Sequence, residues 1–131
     1  MPEFSEPLLS WVLLLARCCL AAIFVVSGIH KGVWYPKAVE EWRLAGVPRF
    51  TLPITILLHI AGSLALITGL YAREVAIVLA VFVLISTILV HNFWAMKGVE
   101  KLIRSRTALA NLGVIGGLLI LAAVGPGEVI L

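Results

Sequence analysis

The chain has 131 residues, of which 62% are hydrophobic and 13% charged, and its net charge is +3. Soluble domains carry about 45–50% apolar and about 25% charged residues, so this composition excludes a disordered chain, a nucleic-acid-binding module and an ordinary soluble enzyme. The length limits residues 1–131 to a single membrane domain with about four spans of roughly 20 residues each.

Four stretches are apolar enough to cross a bilayer. In chain order, the expected spans are residues 7–30, 51–71, 75–96 and 107–125, and Arg17 is the only Lys, Arg, Asp or Glu within them. The segments must be helices, because backbone polar groups have to be satisfied inside lipid and strict apolar–polar alternation is absent. The sequence therefore predicts an all-α, integral-membrane, up-down four-helix bundle.

The first loop contains the pattern of a short amphipathic helix. Pro36 suits a first helical turn, and Tyr35, Val39 and Trp42 follow one another at spacings of four and three residues, which places them on one helical face. Gly46 is expected to end the helix. We expect this helix to lie along the membrane interface, so that the first loop is partly structured.

Aromatic residues cluster at the same membrane boundary. Trp34, Tyr35 and Trp42 belong to the first loop, and Trp94 belongs to the end of the third span. Because the rings of Trp and Tyr favour the headgroup level, these four residues are predicted to form an interfacial aromatic belt.

The basic residues divide the loops into two classes. Loops 30–49 and 97–106 each hold four Lys or Arg, whereas the turn between the second and third spans holds only Arg73. The positive-inside rule places both basic loops in the cytoplasm and both termini outside. The eight basic loop residues are Lys31, Lys37, Arg43, Arg49, Lys97, Lys101, Arg104 and Arg106.

Small residues on the spans predict close helix contacts. Gly113 and Gly117 form a G-x-x-x-G pattern on the fourth span, where the lack of side chains lets a neighbouring helix approach. The neighbour is either another span of this chain, which we favour, or a second protein. Gly28 and Gly62 are predicted to have the same packing role on the first and second spans.

Arg17 lies near the middle of the first span, where a charge costs at least about 2.5–3.5 kcal/mol. It shares a helical face with Ala21, Phe24, Gly28 and Lys31, and this face is expected to point into the bundle. Two interpretations remain open. Arg17 is either a structural residue held by helix carbonyls or snorkelling outward, or a residue that faces a ligand within the bundle.

All three histidines fall toward the basic loops. His30 and His91 lie near span ends, whereas His59 is about nine residues into its span, roughly 13 Å deep. Imidazoles in this arrangement suit hydrogen bonding to a quinone carbonyl and proton transfer, because histidine titrates near neutral pH. The alternative is that they are interfacial or packing residues. Their unequal depths and the missing carboxylate argue against a metal site.

The order of several short motifs resembles the DoxX family over nearly the whole chain. The first span reads ARCCLAAIFVVSGIHKG, the second ends GSLALITGLYAR, the third ends HNFW, and the fourth reads NLGVIGGLLILAAVGPG. The resemblance implies a bacterial inner-membrane protein of four helices. Under this resemblance, four residues correspond to positions of the family pattern, namely Arg17, Lys31, Gly62 and His91. Founding members are similar to a small subunit of thiosulfate–quinone oxidoreductase.

One position departs from that family pattern. An acidic residue often stands three residues before the glycine at Gly62, and here His59 occupies the position. A pair between Arg17 and a carboxylate would then be missing, with His59 as its neutral or protonable replacement.

The sequence thus favours a small membrane subunit associated with quinone-linked redox chemistry, acting with a partner protein. We expect no covalently bound cofactor and no metal, but a quinone held by Arg17 and His59, with His30 and His91 nearer the mouth of the pocket. The alternative is a non-catalytic accessory subunit that packs against a larger membrane complex or a second copy. The candidate quinone-binding residues are Arg17, His30, Lys31, His59, His91 and Asn111.

Overall fold

The computed structural model describes residues 6–89 and 97–127, which form five helices. Four are long and apolar enough to cross a membrane, as predicted. His91 and Trp94 lie outside the described residues. The helices are α1 (Glu6–Val33), α2 (Tyr35–Ala45), α3 (Thr51–Thr68), α4 (Ala72–Leu89) and α5 (Gly98–Val124).

The four long helices pack as an up-down bundle. The closest pairs are α1 with α3 and α4 with α5, while α3–α4 and α1–α5 contacts close the bundle. Large apolar side chains remain exposed along every long helix, which suits surfaces that face lipid acyl chains. The core between the helices consists mainly of Ala21, Phe24, Leu66, Ala76, Leu79, Ala80, Val83, Val114, Leu118 and Leu121.

The short helix expected in the first loop is confirmed as α2. Gly46 ends it with φ 73°, a left-handed conformation that glycine adopts without steric cost. Ala38 and Trp42 pack on Leu52 at the start of α3. The Trp42 indole N–H donates to Thr51 Oγ1 at 2.9 Å, so one polar contact fixes α2 to α3. We call this end of the bundle the basic side, and the end with the turn 69–71 the turn side.

The aromatic belt at the basic side is less uniform than predicted. Trp34 is exposed and Tyr35 half-buried, as an interfacial position allows. Trp42 is instead buried at 4% exposure, so its prediction as a membrane-facing belt residue is corrected. Its ring serves the contact between α2 and α3, and its N–H is satisfied within the protein.

Helix α5 begins earlier than the sequence indicated. Segment 97–106 was expected to be a loop, but the chain is helical from Gly98 onward. Glu100, Lys101 and Arg104 favour helix intrinsically, and Glu100 in the first turn suits the positive helix end. At 27 residues, α5 is about 40 Å long, so it extends beyond a hydrocarbon core of about 30 Å.

The predicted packing glycines behave differently from one another. A Cβ built on Gly28 lies 2.9 Å from Ile60 Cδ1, one on Gly62 lies 3.1 Å from Leu79, and one on Gly117 lies 3.2 Å from Leu20. These glycines therefore let α1 meet α3, α3 meet α4, and α5 meet α1. At Gly113 the same Cβ has nothing within 4 Å, so the favoured packing within the chain is wrong for this residue. Its side of α5 faces outward.

Candidate functional site

His59 lies at the centre of an aromatic contact between three helices. Its ring is 5.4 Å from the Phe24 ring on α1 and 5.3 Å from the Phe82 ring on α4, with Phe82 edge-on. The side chain is 5% exposed. Two aromatic neighbours fix the plane of the imidazole, so His59 is held in one orientation within the bundle.

One nitrogen of His59 lacks an internal partner. Nδ1 is buried and has no hydrogen-bond partner within residues 6–89 and 97–127. A buried polar atom left in this condition costs about 1–3 kcal/mol, and the large majority of such atoms in folded proteins are satisfied. His59 therefore has unused hydrogen-bonding capacity at a depth where the surrounding core is apolar.

A small polar cavity of about 70 Å³ adjoins the imidazole. All four long helices contribute to its wall, so it forms only when the bundle is assembled. We call this space the polar cavity. Its polar lining consists of Ser27, Lys31, His59, Ser86 and Asn111, and its apolar lining of Ile23, Phe24, Phe82, Val83 and Val114.

Two hydrogen bonds orient the polar side chains around this cavity. Lys31 Nζ donates to Ser27 Oγ at 2.7 Å, one turn away on α1. Asn111 Nδ2 donates to Thr87 Oγ1 at 3.0 Å, which links α5 to α4. Thr87 in turn donates to the Val83 carbonyl. The ammonium and the amide are thus positioned by neighbouring side chains.

The polar cavity is rich in hydrogen-bond donors and has no carboxylate in its wall. An ammonium carries three N–H donors, and Lys31 directs one of them to Ser27. Hydroxyls of Ser27 and Ser86 and the Asn111 amide add further donors. Such a lining suits a ligand group with acceptor oxygens, such as a carbonyl or an anion.

An apolar cavity of about 270 Å³ lies next to the polar one, and Phe82 and Ser86 line both. Trp42 and Val47 cover it at the basic side. We call this space the apolar cavity. Ligand sites for small molecules typically combine a mostly apolar wall with a few placed polar groups, as these two spaces do together. The remaining residues of its wall are Thr51, Ile54, Thr55, Ile85 and Leu89.

The structure separates Arg17 from the other predicted site residues. Arg17 is fully buried, on the same inward face as Ala21 and Phe24, as the helical spacing predicted. It takes part in an interaction within the protein and is not among the residues lining either cavity. Seven residues separate Arg17 from Phe24, whose ring contacts His59, and this corresponds to about 10 Å along α1. The walls of these two cavities therefore do not support the expectation that Arg17 and His59 line one pocket, and it stays a prediction.

The remaining predicted residues divide between the cavity and the surface. Lys31, His59 and Asn111 meet in the polar cavity, whereas His30 is exposed on the outer side of α1. Phe82 and Ser86 were missed by the sequence analysis. Their spacing of four residues on the third span would place them on one helical face, but that spacing alone does not separate them from ordinary packing residues.

No group of three or more His, Cys, Asp or Glu side chains suited to a metal occurs among residues 6–89 and 97–127. At the basic side, Arg43 pairs with Glu40 one turn earlier on α2. Hydrogen bonds from Arg43 hold the pKa of Glu40 below its ordinary value, and the same pair raises the pKa of Arg43. Both groups are exposed and lie away from the two cavities.

Comparison with known proteins gives related proteins in two bacteria. The chain is 36% identical to the inner membrane protein YqjF of Escherichia coli over 114 residues, covering 87% of this chain and 84% of that protein. It is 25% identical to the Escherichia coli inner membrane protein YphA over 90% of this chain and 86% of that one. An uncharacterized Bacillus subtilis protein, YdgD, is 33% identical over 73% of this chain and 87% of its own length.

No solved structure gave a significant match to the chain. The sequence model of one family, described as DoxX, matches residues 12–92, which is more than half of the chain. The matched segment includes most of α1 and all of α2, α3 and α4, and with them His59, Lys31 and both aromatic neighbours of His59. The four-helix membrane bundle, the length of the match and the related proteins agree, and the chain belongs to the DoxX family.

Proposed function

We propose that the protein is a small inner-membrane subunit of quinone-linked redox chemistry, in which a quinone carbonyl binds the polar cavity and the start of the quinone tail occupies the apolar cavity. The observation that carries this proposal is the buried His59 side chain, which lines a donor-rich cavity and whose Nδ1 has no hydrogen-bond partner in the described residues. A quinone combines acceptor oxygens with an apolar chain. The two adjoining spaces offer one environment for each.

The polar side chains of the polar cavity suit the reduction of a quinone head group. A quinone that takes up two electrons and two protons becomes a quinol, and its oxygens then need both donors and a source of protons. Lys31, Asn111 and the serine hydroxyls donate to a carbonyl oxygen, and the imidazole of His59 has one nitrogen that donates and one that accepts a hydrogen bond. Phe82 and Ser86 line both cavities. In this proposal, movement of these two side chains connects the cavities so that a quinone ring fits between them.

The proposal assigns electron transfer to a partner protein, because the described residues bring together no set of metal-ligating side chains. It also places the protein in the inner membrane, supported by the names of the Escherichia coli relatives YqjF and YphA. We further propose that the basic side faces the cytoplasm, as the eight basic residues of the two loops favour.

The test uses the purified full-length protein in mild detergent and a short-chain benzoquinone as the probe. Trp42 lines the apolar cavity, so a bound quinone quenches its fluorescence. We expect saturable quenching and about a tenfold weaker affinity for His59→Leu, the effect of losing one good hydrogen bond in a buried site. His30→Leu is the matched control, since His30 is exposed and outside both cavities. Equal affinity of wild type and His59→Leu contradicts the proposal.

A second candidate function is favoured by one observation on α5. Cβ atoms built on Gly113 and Gly116 meet nothing within 4 Å, which leaves a notch on the outer surface where another helix would fit. In this alternative the protein is an accessory subunit of a larger membrane complex or a homo-oligomer. Gly113→Leu then releases the partner in gentle extraction, whereas His59→Leu leaves the assembly intact.

A further inference from the structure

The outer side of α1 carries a shallow groove of about 560 Å³, which faces away from the bundle. Every lining residue belongs to α1, so no other helix of the described chain forms its wall. The end toward the middle of the helix is apolar, and the end at the basic side is polar. In chain order the groove is lined by Ala22, Ile23, Val26, Ser27, His30 and Lys31.

The length of the groove corresponds to one leaflet of a bilayer. Ala22 and Lys31 are nine residues apart, which is about 13.5 Å along a helix. Half of a hydrocarbon core of about 30 Å is about 15 Å. Because Lys31 lies close to the basic end of the candidate span Pro7–Val33, the groove extends from headgroup level to near the midplane.

The charge at the polar end is incompletely compensated within the protein. Lys31 donates to the neutral Ser27 hydroxyl, and the Glu41 carboxylate on α2 attracts its charge from a distance, but no carboxylate of the described residues forms an ion pair with it within 4 Å. His30 is exposed beside it. We propose that an anionic phospholipid binds this groove, with its phosphate at Lys31 and His30 and one acyl chain along Ala22, Ile23 and Val26.

The groove joins the polar cavity, because Ile23, Ser27 and Lys31 line both. A phosphate bound at Lys31 therefore lies at the membrane-facing opening of that cavity. The lipid site does not depend on the quinone proposal, because its lining comes from α1 alone and includes neither His59 nor Asn111.

Native mass spectrometry of the full-length protein in detergent tests the lipid site, with phosphatidylglycerol and phosphatidylcholine of identical acyl chains as probes. We expect phosphatidylglycerol to bind preferentially and Lys31→Gln to weaken it about fivefold, the effect of one basic residue near a membrane surface. The control is Lys37→Gln, on α2 at the same side but outside the groove, with an expected unchanged affinity. If both variants bind phosphatidylglycerol equally weakly, the lipid is attracted only by the overall positive charge of the basic side, and the proposed site is overturned.

A second pair of variants tests the acyl-chain contact without changing charge. Val26→Trp fills the groove from an exposed position and is expected to lower phosphatidylglycerol binding, whereas Leu15→Trp, also exposed on α1, leaves it unchanged. Identical phosphatidylglycerol binding by these two variants overturns the proposed position of the acyl chain in the groove. If millimolar inorganic phosphate displaces the lipid, the site binds free phosphate, and the proposed phospholipid site is overturned as well. Quinone quenching, measured on the same samples, reports separately on the proposed function.

Discussion

The two sides of the bundle bury their polar groups in different ways. Toward the turn side, Arg17 is fully buried, interacts within the protein and lines neither cavity. Toward the basic side, His59 is almost as deeply buried, but it lines the polar cavity, and its Nδ1 has no hydrogen-bond partner in the described residues. Both residues are expensive to place in a membrane, but of the two only His59 lines one of the two cavities.

This difference shows why burial of a polar residue does not by itself indicate a binding site. A buried group whose partners lie within the protein stabilises the arrangement of the helices, and its removal affects folding. A buried group with an unused hydrogen-bonding atom beside a cavity lowers stability slightly and is available for binding. The following substitutions separate these two roles.

The largest effect is expected for Arg17→Ala. Removing a fully buried large side chain leaves a cavity, and large-to-small core substitutions cost about 2–5 kcal/mol in the free energy of unfolding. Thermal unfolding in detergent measures this loss. Cys19→Ala, at an exposed position two residues away, is the control and should lie within about 0.5 kcal/mol of wild type. If Arg17→Ala keeps wild-type stability but loses quinone binding, the structural role of Arg17 is wrong.

The next effect separates a packed glycine from an open one. At Gly28 the added Cβ lies 2.9 Å from Ile60 Cδ1 and 3.1 Å from His59 Cβ, so Gly28→Ala forces α1 and α3 apart. Overpacking of this kind costs about 1–3 kcal/mol. Gly113→Ala meets open space and should be neutral or stabilising by up to about 1 kcal/mol, since alanine favours helix. The same unfolding measurement compares the two, and equal destabilisation would contradict the helix contacts described.

A smaller effect is expected where α2 joins α3. Thr51→Val removes the acceptor of the Trp42 indole N–H, at a cost of about 0.5–1.5 kcal/mol. Hydrogen exchange should report it as faster exchange confined to α2 and the start of α3. Thr68→Val, near the turn side, removes a hydroxyl whose hydrogen bonds are all to residues 64–70 and serves as the control. Unchanged protection of α2 in Thr51→Val would show that this bond does not hold the helix.

The smallest effect is expected at the exposed pair on α2. Arg43 holds the pKa of Glu40 below its ordinary value. The contribution of the pair to stability is therefore complete at a pH above the ordinary pKa of glutamate and is lost as the pH falls through the lowered pKa. Both side chains are solvent-exposed, so Glu40→Gln should not measurably change the melting temperature at neutral pH. A clear decrease in the melting temperature at neutral pH would mean that α2 depends on charge more than on Trp42.

Most of the architecture follows from the sequence alone. Charge-free stretches predict the four membrane helices, the spacing of Tyr35, Val39 and Trp42 predicts α2, and the helical wheel predicts the inward face of Arg17. These features depend on local patterns. Membrane insertion also makes the apolar pattern unusually clear, because no water is present to satisfy an exposed backbone.

The site was less predictable because it depends on which helices are neighbours. A helical wheel places Lys31 on the same face of α1 as Arg17. It does not show that Lys31, His59 and Asn111 meet around one cavity, whose wall on α1 begins at Ile23, about 9 Å along the helix from Arg17. Gly113 and Gly117 are equivalent in the G-x-x-x-G pattern, yet only Gly117 contacts α1. Likewise, the hydrogen bond of Trp42 to Thr51 requires the tertiary position of α2, which an aromatic belt pattern does not contain.

The most direct measurement is photoaffinity labelling of the full-length protein with an azido-quinone in native membranes, followed by peptide mapping. Labelling is predicted at Thr55, His59, Phe82 or Ser86, which surround the two adjoining cavities, and excess unlabelled quinone should suppress it. His59→Leu should abolish most of this labelling, while Arg17→Lys should retain it. Labelling spread over the lipid-facing residues, or centred near Arg17, would contradict a quinone site at His59.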